Sequence, residues 1–152
     1  MKTFKAASVI ALLSLSSFFL SNSAHAISGA YTSAPMASMD VHSANFWNQF
    51  NFPISSSFLP PSNAKVTRVY WNYALGQLQV GSKGTLIVYL CQGNTSTCFD
   101  ISNMNSGSTE VFRDQSATTP FFLYYRVNSR STIGSIYGSG STQVTVNWQN
   151  NQ

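Results

Sequence analysis

The chain has 152 residues, and only 8% of them are charged: eight Lys and Arg stand against four Asp and Glu, for a net charge of +4. This length suits one domain with a substantial core. The cations are few and form no run, which argues against nucleic-acid binding.

The N-terminus has the pattern of a secretory signal peptide. Lys2 and Lys5 give a positively charged start, residues 6–20 are uncharged and mostly apolar, and Ala24 and Ala26 have the A-x-A spacing that signal peptidase requires. A membrane anchor is the alternative, but a spanning helix needs roughly 20 apolar residues and this stretch is shorter and interrupted by serines. We therefore predict cleavage after Ala26.

The predicted mature chain, residues 27–152, forms one domain with little charge. Loss of the two N-terminal lysines leaves six cations against four carboxylates, a net charge of +2. Export implies an oxidising compartment, where an even number of cysteines indicates a disulfide. We predict a Cys91–Cys98 bond. The alternatives are a free thiol pair or half of a metal site, and for the latter only one histidine, His42, remains as a further ligand.

The rest of the chain shows an alternation of apolar and polar residues with a period of two, broken by Gly, Pro, Ser and Asn. This pattern predicts an all-β domain, and the spacing suits an antiparallel β-sandwich of seven to nine short strands or a barrel; we expect the sandwich. Residues 55–63 and 129–141 are predicted loops. The predicted strands are weak ones between 30 and 41, then 46–54, 65–75, 85–91, 98–101, 109–113, 121–127 and 143–148.

Strands 85–91 and 121–127 are apolar on both faces, which predicts a position inside a sheet. Strand 98–101 is expected to return antiparallel to the first of them. The other long strands alternate, so one face of each should meet the core. The residues predicted on those faces are Phe46, Phe50, Phe52, Ile54, Thr67, Val69, Trp71, Tyr73, Leu75, Val144, Val146 and Trp148.

Residue types that carry catalysis are scarce. His42 stands in a polar stretch and is predicted to be solvated, so nucleophile–base schemes lack a partner. Asp100 and Glu110 lie on neighbouring predicted strands and are the candidates for a glycosidase carboxylate pair, although ion pairing with Arg113 or Arg126 explains them equally well. The sequence has no phosphate-loop, zinc or calcium motif. We predict a protein that binds without catalysis, cofactor or metal.

Aromatic residues are abundant, at 14% of the chain. Exposed rings on strands can stack on sugar rings or anchor a protein partner, although large rings more often fill the core of a small sandwich. A secreted module that binds carbohydrate or another surface is therefore an alternative function. The candidates for a partner surface are Trp47, Tyr70, Tyr89 and Tyr124.

A series of short motifs runs in order from Val66 to Trp148. They comprise Trp71 and Tyr73; Leu86, Val88, Leu90 and Cys91, with Cys98 after a polar loop; Gly107, Thr109 and Phe112; Pro120, Phe121 and Val127; and Val144, Val146, Asn147 and Trp148. In this order and spacing the mature chain resembles FlhE, a small periplasmic protein encoded beside the flagellar export genes of enteric bacteria. The N-terminal half and the loop 76–84 depart from the pattern.

The resemblance implies a non-enzymatic accessory of flagellar assembly in the periplasm of a Gram-negative bacterium. It implies a chaperone or regulator of flagellar components that also limits proton leakage at the export apparatus, with rod or export components as partners. We expect no nucleic-acid partner and no membrane span after cleavage, and self-association stays open. Such a protein could pair a partner at a strand edge, for which strand 143–148 and the N-terminal segment are the candidates.

Overall fold

Short antiparallel strands are the main regular secondary structure of the protein, a computed structural model that describes residues 26–33 and 38–150. Besides the strands there is one helical turn, α1 (Gln77–Val80), with 3-10 turns at Ser56–Phe58 and Gly81–Lys83. The strands are β1 (Ile27–Thr32), β2 (Asp40–Val41), β3 (Asn48–Phe52), β4 (Lys65–Asn72), β5 (Thr85–Gln92), β6 (Cys98–Asp100), β7 (Ser106–Thr109), β8 (Phe121–Asn128), β9 (Ile136–Tyr137) and β10 (Gln143–Asn150).

Two four-stranded antiparallel sheets face each other across one hydrophobic core. Their strand orders are β1-β10-β4-β7 and β3-β8-β5-β6, and β2 pairs with β9 in a small third sheet. The predicted all-β antiparallel fold is confirmed. The described residues form ten strands, whereas seven to nine were predicted. The difference arises because β2 and β9 have only two residues each and lie in segments of weak or loop-like pattern. Core residues contributed by the two large sheets include Val66, Val69, Val144, Val146, Phe52, Leu86, Val88, Leu90, Phe121 and Leu123.

The predicted signal peptide, residues 1–26 with Ala24 in its cleavage site, lies outside the described residues except for Ala26, which is exposed. β1 begins at the next residue, Ile27. Cleavage after Ala26 stays a prediction, and it would leave β1 intact. Within the described residues, no helix is long and apolar enough to cross a membrane.

The strands with apolar residues on both faces occupy the interior of their sheet, as predicted. β5 pairs with β8 and β6, and β8 pairs with β5 and β3. Leu86, Val88 and Leu90 of β5 are fully buried between the sheets. Burial of each such side chain stabilises the fold by about 1.5–3 kcal/mol relative to leaving it exposed. These two strands therefore form the stable centre of the second sheet.

A β-bulge changes which residues of β4 face the core. Asn147 pairs with Arg68 but the next residue, Trp148, pairs with Val66, so Thr67 is an extra residue in the ladder. The alternation shifts by one at this point. Val66 is consequently fully buried and Thr67 is half-buried. The prediction that Thr67 faces the core was wrong, because a strict period of two does not include a bulge.

Residues 109–113 do not form the predicted strand. β7 ends at Thr109, and the chain then turns, with the Arg113 amide donating to the Glu110 carbonyl at 2.8 Å. Phe112 is nevertheless fully buried within this turn. The apolar spacing reflected a buried ring in a turn, not a strand.

The strand predicted over 46–54 is shorter, because β3 begins at Asn48 and ends at Phe52. Phe52 is fully buried, and Phe50 and Ile54 pack partly buried against the core. Phe46 precedes the strand and is 71% exposed. Its predicted inward position was therefore wrong, since a residue outside the ladder does not follow the alternation of the strand.

The C-terminal strand β10 is not an edge, in contrast to the prediction. It lies between β1 and β4, paired with β1 from Thr145 to Asn150 and with β4 from Gln143 to Gln149. The N-terminal strand β1 is the edge instead.

Each edge strand of the first sheet holds a glycine beneath a tryptophan ring. Gly29 of β1 is opposite Trp148 of β10, and Gly107 of β7 is opposite Trp71 of β4. A Cβ atom at Gly29 would lie 2.4 Å from the Trp148 ring, and one at Gly107 would lie 2.8 Å from the Trp71 ring. Both positions require glycine so that the indole can lie flat on the edge strand.

Candidate binding surface

The outward face of the second sheet carries a row of aligned side chains. Gln49 of β3 is opposite Tyr124 of β8, Tyr124 is opposite Tyr89 of β5, and Tyr89 is opposite Asp100 of β6. Side chains alternate between the faces of a strand, and Leu123, next to Tyr124, is buried in the core. The four aligned residues therefore project away from the core.

Trp47, just before β3, lies over this row. Its ring stacks on Tyr124 at 4.3 Å between centroids with 6° between the planes, and the Tyr89 ring lies 5.6 Å away at 28°. The guanidinium carbon of Arg126 is 4.5 Å from the centroid of the Trp47 ring, a cation–π contact. We call Trp47, Tyr89, Tyr124 and Arg126 the aromatic face. Each ring pair contributes about 0.5–1.5 kcal/mol of stabilising interaction beyond the burial of its surface area. The rings therefore hold one another in this arrangement before any ligand binds.

A shallow cavity of about 370 Å³ opens beside the aromatic face, toward β6. We call it the Tyr89 pocket. Its polar wall includes Asp100, whose Oδ1 accepts hydrogen bonds from the Ser102 amide at 2.9 Å and from the Ser102 hydroxyl at 2.6 Å. Within the described part of the chain, Asp100 Oδ2 has no hydrogen-bond partner and is available to a ligand. The lining residues are Tyr89, Thr95, Ser96, Cys98, Asp100 and Tyr124.

The predicted Cys91–Cys98 disulfide is confirmed and joins β5 to β6 next to this pocket. The neighbouring Gln92 amide donates to the Thr97 carbonyl at 2.9 Å, which makes Cys91 and Cys98 a non-hydrogen-bonded pair. Side chains of such pairs lie closest together, and the Cα atoms are 4.0 Å apart. The bond fixes both ends of the loop that supplies Thr95 and Ser96.

Three of the four candidates for a partner surface come together, and the fourth does not. Trp47, Tyr89 and Tyr124 share the aromatic face, whereas Tyr70 lies on β4 in the opposite sheet, 42% exposed and paired with Ser108. The sequence reasoning missed Arg126 as a member of the face. Its position two residues after Tyr124 on β8 was the available signal, because residues i and i+2 share a face.

The family-motif residues lie mainly in structural positions. The Trp71 indole nitrogen donates to the Met104 carbonyl at 2.9 Å, and the buried Tyr73 hydroxyl donates to the Ile101 carbonyl at 2.9 Å. Burial, with a smaller contribution from the charge of Asp100, raises the pKa of Tyr73 to about 12. Tyr73 therefore stays neutral and holds the segment after β6 against β4.

The remaining motif residues are less enclosed. Gly107 and Trp148 belong to the two tryptophan–glycine contacts of the first sheet. Pro120 is exposed immediately before β8, and Asn147 is half-buried in β10. Pro120 has no amide hydrogen to donate, which suits the start of a strand.

The two candidate carboxylates are separated between the sheets. Asp100 lies on β6 of the second sheet, and Glu110 follows β7 of the first sheet. Glu110 forms ion pairs with Arg68 and Arg113. The expected pairing with Arg113 is present, whereas Arg126 stacks on Trp47 instead. Glu110 is therefore engaged in a surface ion-pair network.

His42 is exposed, as expected, and bonded at both ring nitrogens. Nδ1 lies 2.9 Å from the Ser135 hydroxyl and Nε2 lies 3.0 Å from Asp40 Oδ2. The side chains of His42 and Asp40 are 58% and 46% exposed. These contacts tie β2 to the segment before β9. In the part of the chain that the structure describes, no three His, Cys, Asp or Glu side chains are grouped to hold a metal.

The ion pairs of Glu110 with Arg113 and Arg68 predict a measurable lowering of the pKa of Glu110. Hydrogen bonding to Arg113 and the charges of Arg113 and Arg68 lower the pKa of Glu110, against a smaller opposing effect of desolvation. A carboxyl with a depressed pKa stabilises the fold above its unfolded-state pKa, and this stabilisation is lost as the pH falls through the folded-state pKa. An NMR titration of Glu110 should show the low pKa, and Arg113→Gln should raise it. The matched control Arg130→Gln should leave it unchanged; equal shifts in both variants would contradict the assignment.

Comparisons with known proteins agree with this architecture. A family model described as Flagellar protein FlhE matches residues 51–149, more than half of the chain. The crystal structure of FlhE matches with 24% sequence identity and a TM-score of 0.62, over 81% of this chain and 98% of that one, which supports the fold. No curated protein matches the chain. The family match shows that this chain belongs to the FlhE family of flagellar proteins.

Proposed function

We propose that this protein is a non-enzymatic accessory of flagellar assembly in the periplasm. It binds flagellar rod or export components as a chaperone or regulator, and it limits proton leakage at the export apparatus. Membership of a flagellar family supports the setting, and the predicted signal peptide supports the compartment. The single observation that carries the binding mode is the open edge of β1.

β1 is the longest of the four edge strands in the two large sheets. It has six residues, whereas β3, β7 and β6 have five, four and three. It pairs with β10 on one side, and no described strand pairs with its other side. Proteins usually protect such edges with proline, charge or a bulge. The β1 sequence ISGAYT has no proline and no charge, which favours pairing with an added strand.

The hydrogen-bond pattern shows which β1 amides face the open edge. The Ser33 amide donates to the Val144 carbonyl at 2.9 Å, so Ser33 belongs to a hydrogen-bonded pair with β10. Hydrogen-bonded and non-hydrogen-bonded pairs alternate along an antiparallel ladder. The backbone groups of Ser28, Ala30 and Thr32 therefore point away from β10. β1 precedes the family-matched range, so this binding mode is argued from this chain alone.

Ala30→Pro tests the edge, because proline removes one outward amide without breaking the β10 ladder. We expect the variant to fold, as judged by its melting curve, but to restore little of the swarming of a deletion strain. The control Ala30→Val keeps the amide and should restore swarming fully. Full restoration by folded Ala30→Pro would contradict the edge mode but not the flagellar role.

The deletion strain itself tests the function. We expect altered swarming or filaments misplaced in the periplasm, together with a lower cytoplasmic pH in acidic medium, measured with a pH-sensitive fluorescent protein. The pH effect should disappear when the flagellar export genes are also deleted. Normal flagella, swarming and cytoplasmic pH in the deletion strain would overturn the proposed function.

A further inference from the structure

The Tyr89 pocket combines aromatic rings on one side with neutral hydrogen-bonding groups on the other. We propose that it binds one ring of a neutral saccharide, and that the oligosaccharide continues across the aromatic face. The site lies on the second sheet, away from the β1 edge. The inference does not rest on the proposed flagellar function.

The rings provide the apolar side of the site. Tyr89 and Tyr124 line the pocket from directly opposite positions on β5 and β8, and both are half-buried. A ring that is apolar on its face and polar at its hydroxyl suits the apolar face and the hydroxyl rim of a sugar ring. The cavity of about 370 Å³ falls in the usual range of small-molecule sites.

The opposite wall provides hydrogen bonds. Thr95 and Ser96 contribute hydroxyl groups from the disulfide-bounded loop, and Asp100 contributes its available Oδ2. A sugar hydroxyl that donates to this carboxylate would form a charge-assisted hydrogen bond, which is stronger than a neutral one. The two bonds from Ser102 to Oδ1 hold the carboxylate in place beforehand.

The charge of the site favours a neutral ligand. The only charged residue in the lining is Asp100, which disfavours anions. Beside the pocket, the cation–π position over Trp47 is already occupied by Arg126. Hydroxyl groups, which donate and accept without charge, match the remaining wall.

The dimensions of the face indicate an oligosaccharide. The row from Gln49 on β3 to Asp100 on β6 crosses four adjacent strands, a width of about 14 Å at the usual strand spacing. The Trp47 stack lies along this row. The rings are held by one another and the loop by the disulfide, so binding would order few side chains.

The test is titration of the folded mature protein with three neutral tetrasaccharides, chitotetraose, cellotetraose and maltotetraose. Calorimetry measures affinity, and amide NMR shifts locate the contact. We expect at least one of them to bind at millimolar or lower concentration, with shifts confined to β5, β6, β8 and the loop between the cysteines. Tyr89→Ala should weaken binding about tenfold, or ~1.4 kcal/mol, and Asp100→Asn should weaken it as well.

The matched control is Tyr70→Ala, which removes an exposed tyrosine from the outward face of the opposite sheet and should leave affinity unchanged. Tyr89→Phe keeps the stacking ring and should keep most of the affinity, which separates loss of the ring from loss of the fold. No binding of any of the three sugars, or equal binding by folded Tyr89→Ala, would overturn the proposal. Stronger shifts of the same amides with tetramethylammonium would overturn it too, because the pocket would then be a cation site.

Discussion

Replacing Phe112 by alanine is expected to lower the free energy of unfolding by about 3–5 kcal/mol. The ring is 1% exposed and meets Phe121 edge to face, with 5.0 Å between centroids and 89° between planes. Two backbone hydrogen bonds fix the turn around this ring. The Arg113 amide donates to the Glu110 carbonyl, and the Gln115 amide donates to the Phe112 carbonyl at 3.1 Å. These bonds oppose collapse of the turn into the cavity. The expected loss is a large part of the ~5–15 kcal/mol by which such domains are stable.

Urea unfolding followed by circular dichroism measures this loss. The matched control is Val111→Ala, because Val111 precedes Phe112 in the same turn but is 61% exposed. Val111→Ala should change the free energy of unfolding by no more than about 0.5 kcal/mol. A Phe112→Ala loss no larger than that of Val111→Ala would show that the turn does not anchor the core.

Removing the disulfide with Cys91→Ala and Cys98→Ala together is expected to destabilise the domain by about 2.5 kcal/mol, the loop-closure entropy of so short a ring. The two cysteines are seven positions apart. Dithiothreitol should lower the urea midpoint of the native chain to about that of the double variant and leave the double variant unchanged. If dithiothreitol has no effect on the native chain, the bond does not stabilise the fold.

The disulfide variant also bears on the saccharide site. Thr95 and Ser96 are held in place by the bond, so the variant should bind sugar more weakly even where it is fully folded. Measuring binding well below the unfolding midpoint separates this loss of pre-arrangement from the loss of stability. Retention of full affinity would place the binding energy in the rings and Asp100, and not in Thr95 and Ser96.

Much of the fold could be predicted because the strongest signals are local. The apolar runs of β5 and β8 correctly predicted interior strands, and two nearby cysteines in a chain predicted to be exported correctly predicted the disulfide. The wrong predictions concern residues whose burial depends on contacts with distant parts of the chain, which the local alternation of apolar and polar residues does not show. The bulge at Thr67 exists only relative to β10, and Phe112 is buried by contacts across the sandwich.

The candidate surface could be predicted only in part for the same reason. Trp47, Tyr89 and Tyr124 were identified as candidates, but so was Tyr70, since nothing in a single strand shows which sheet it joins. The internal position of β10 depends on β1, whose short, polar sequence gives a weak strand signal. Arg126 was interpreted by charge as an ion-pair partner, whereas its packing against Trp47 places it on the aromatic face.

The distribution of the tryptophans gives the molecule three separate optical probes. Trp47 reports on the aromatic face, Trp71 on the β7 edge and Trp148 on the β1 edge. Since Trp148 lies flat on Gly29, detachment of β1 would uncover its indole and shift its emission to longer wavelength. Fluorescence of variants that keep a single tryptophan would therefore distinguish ligand binding at the aromatic face, reported by Trp47, from detachment of β1, reported by Trp148.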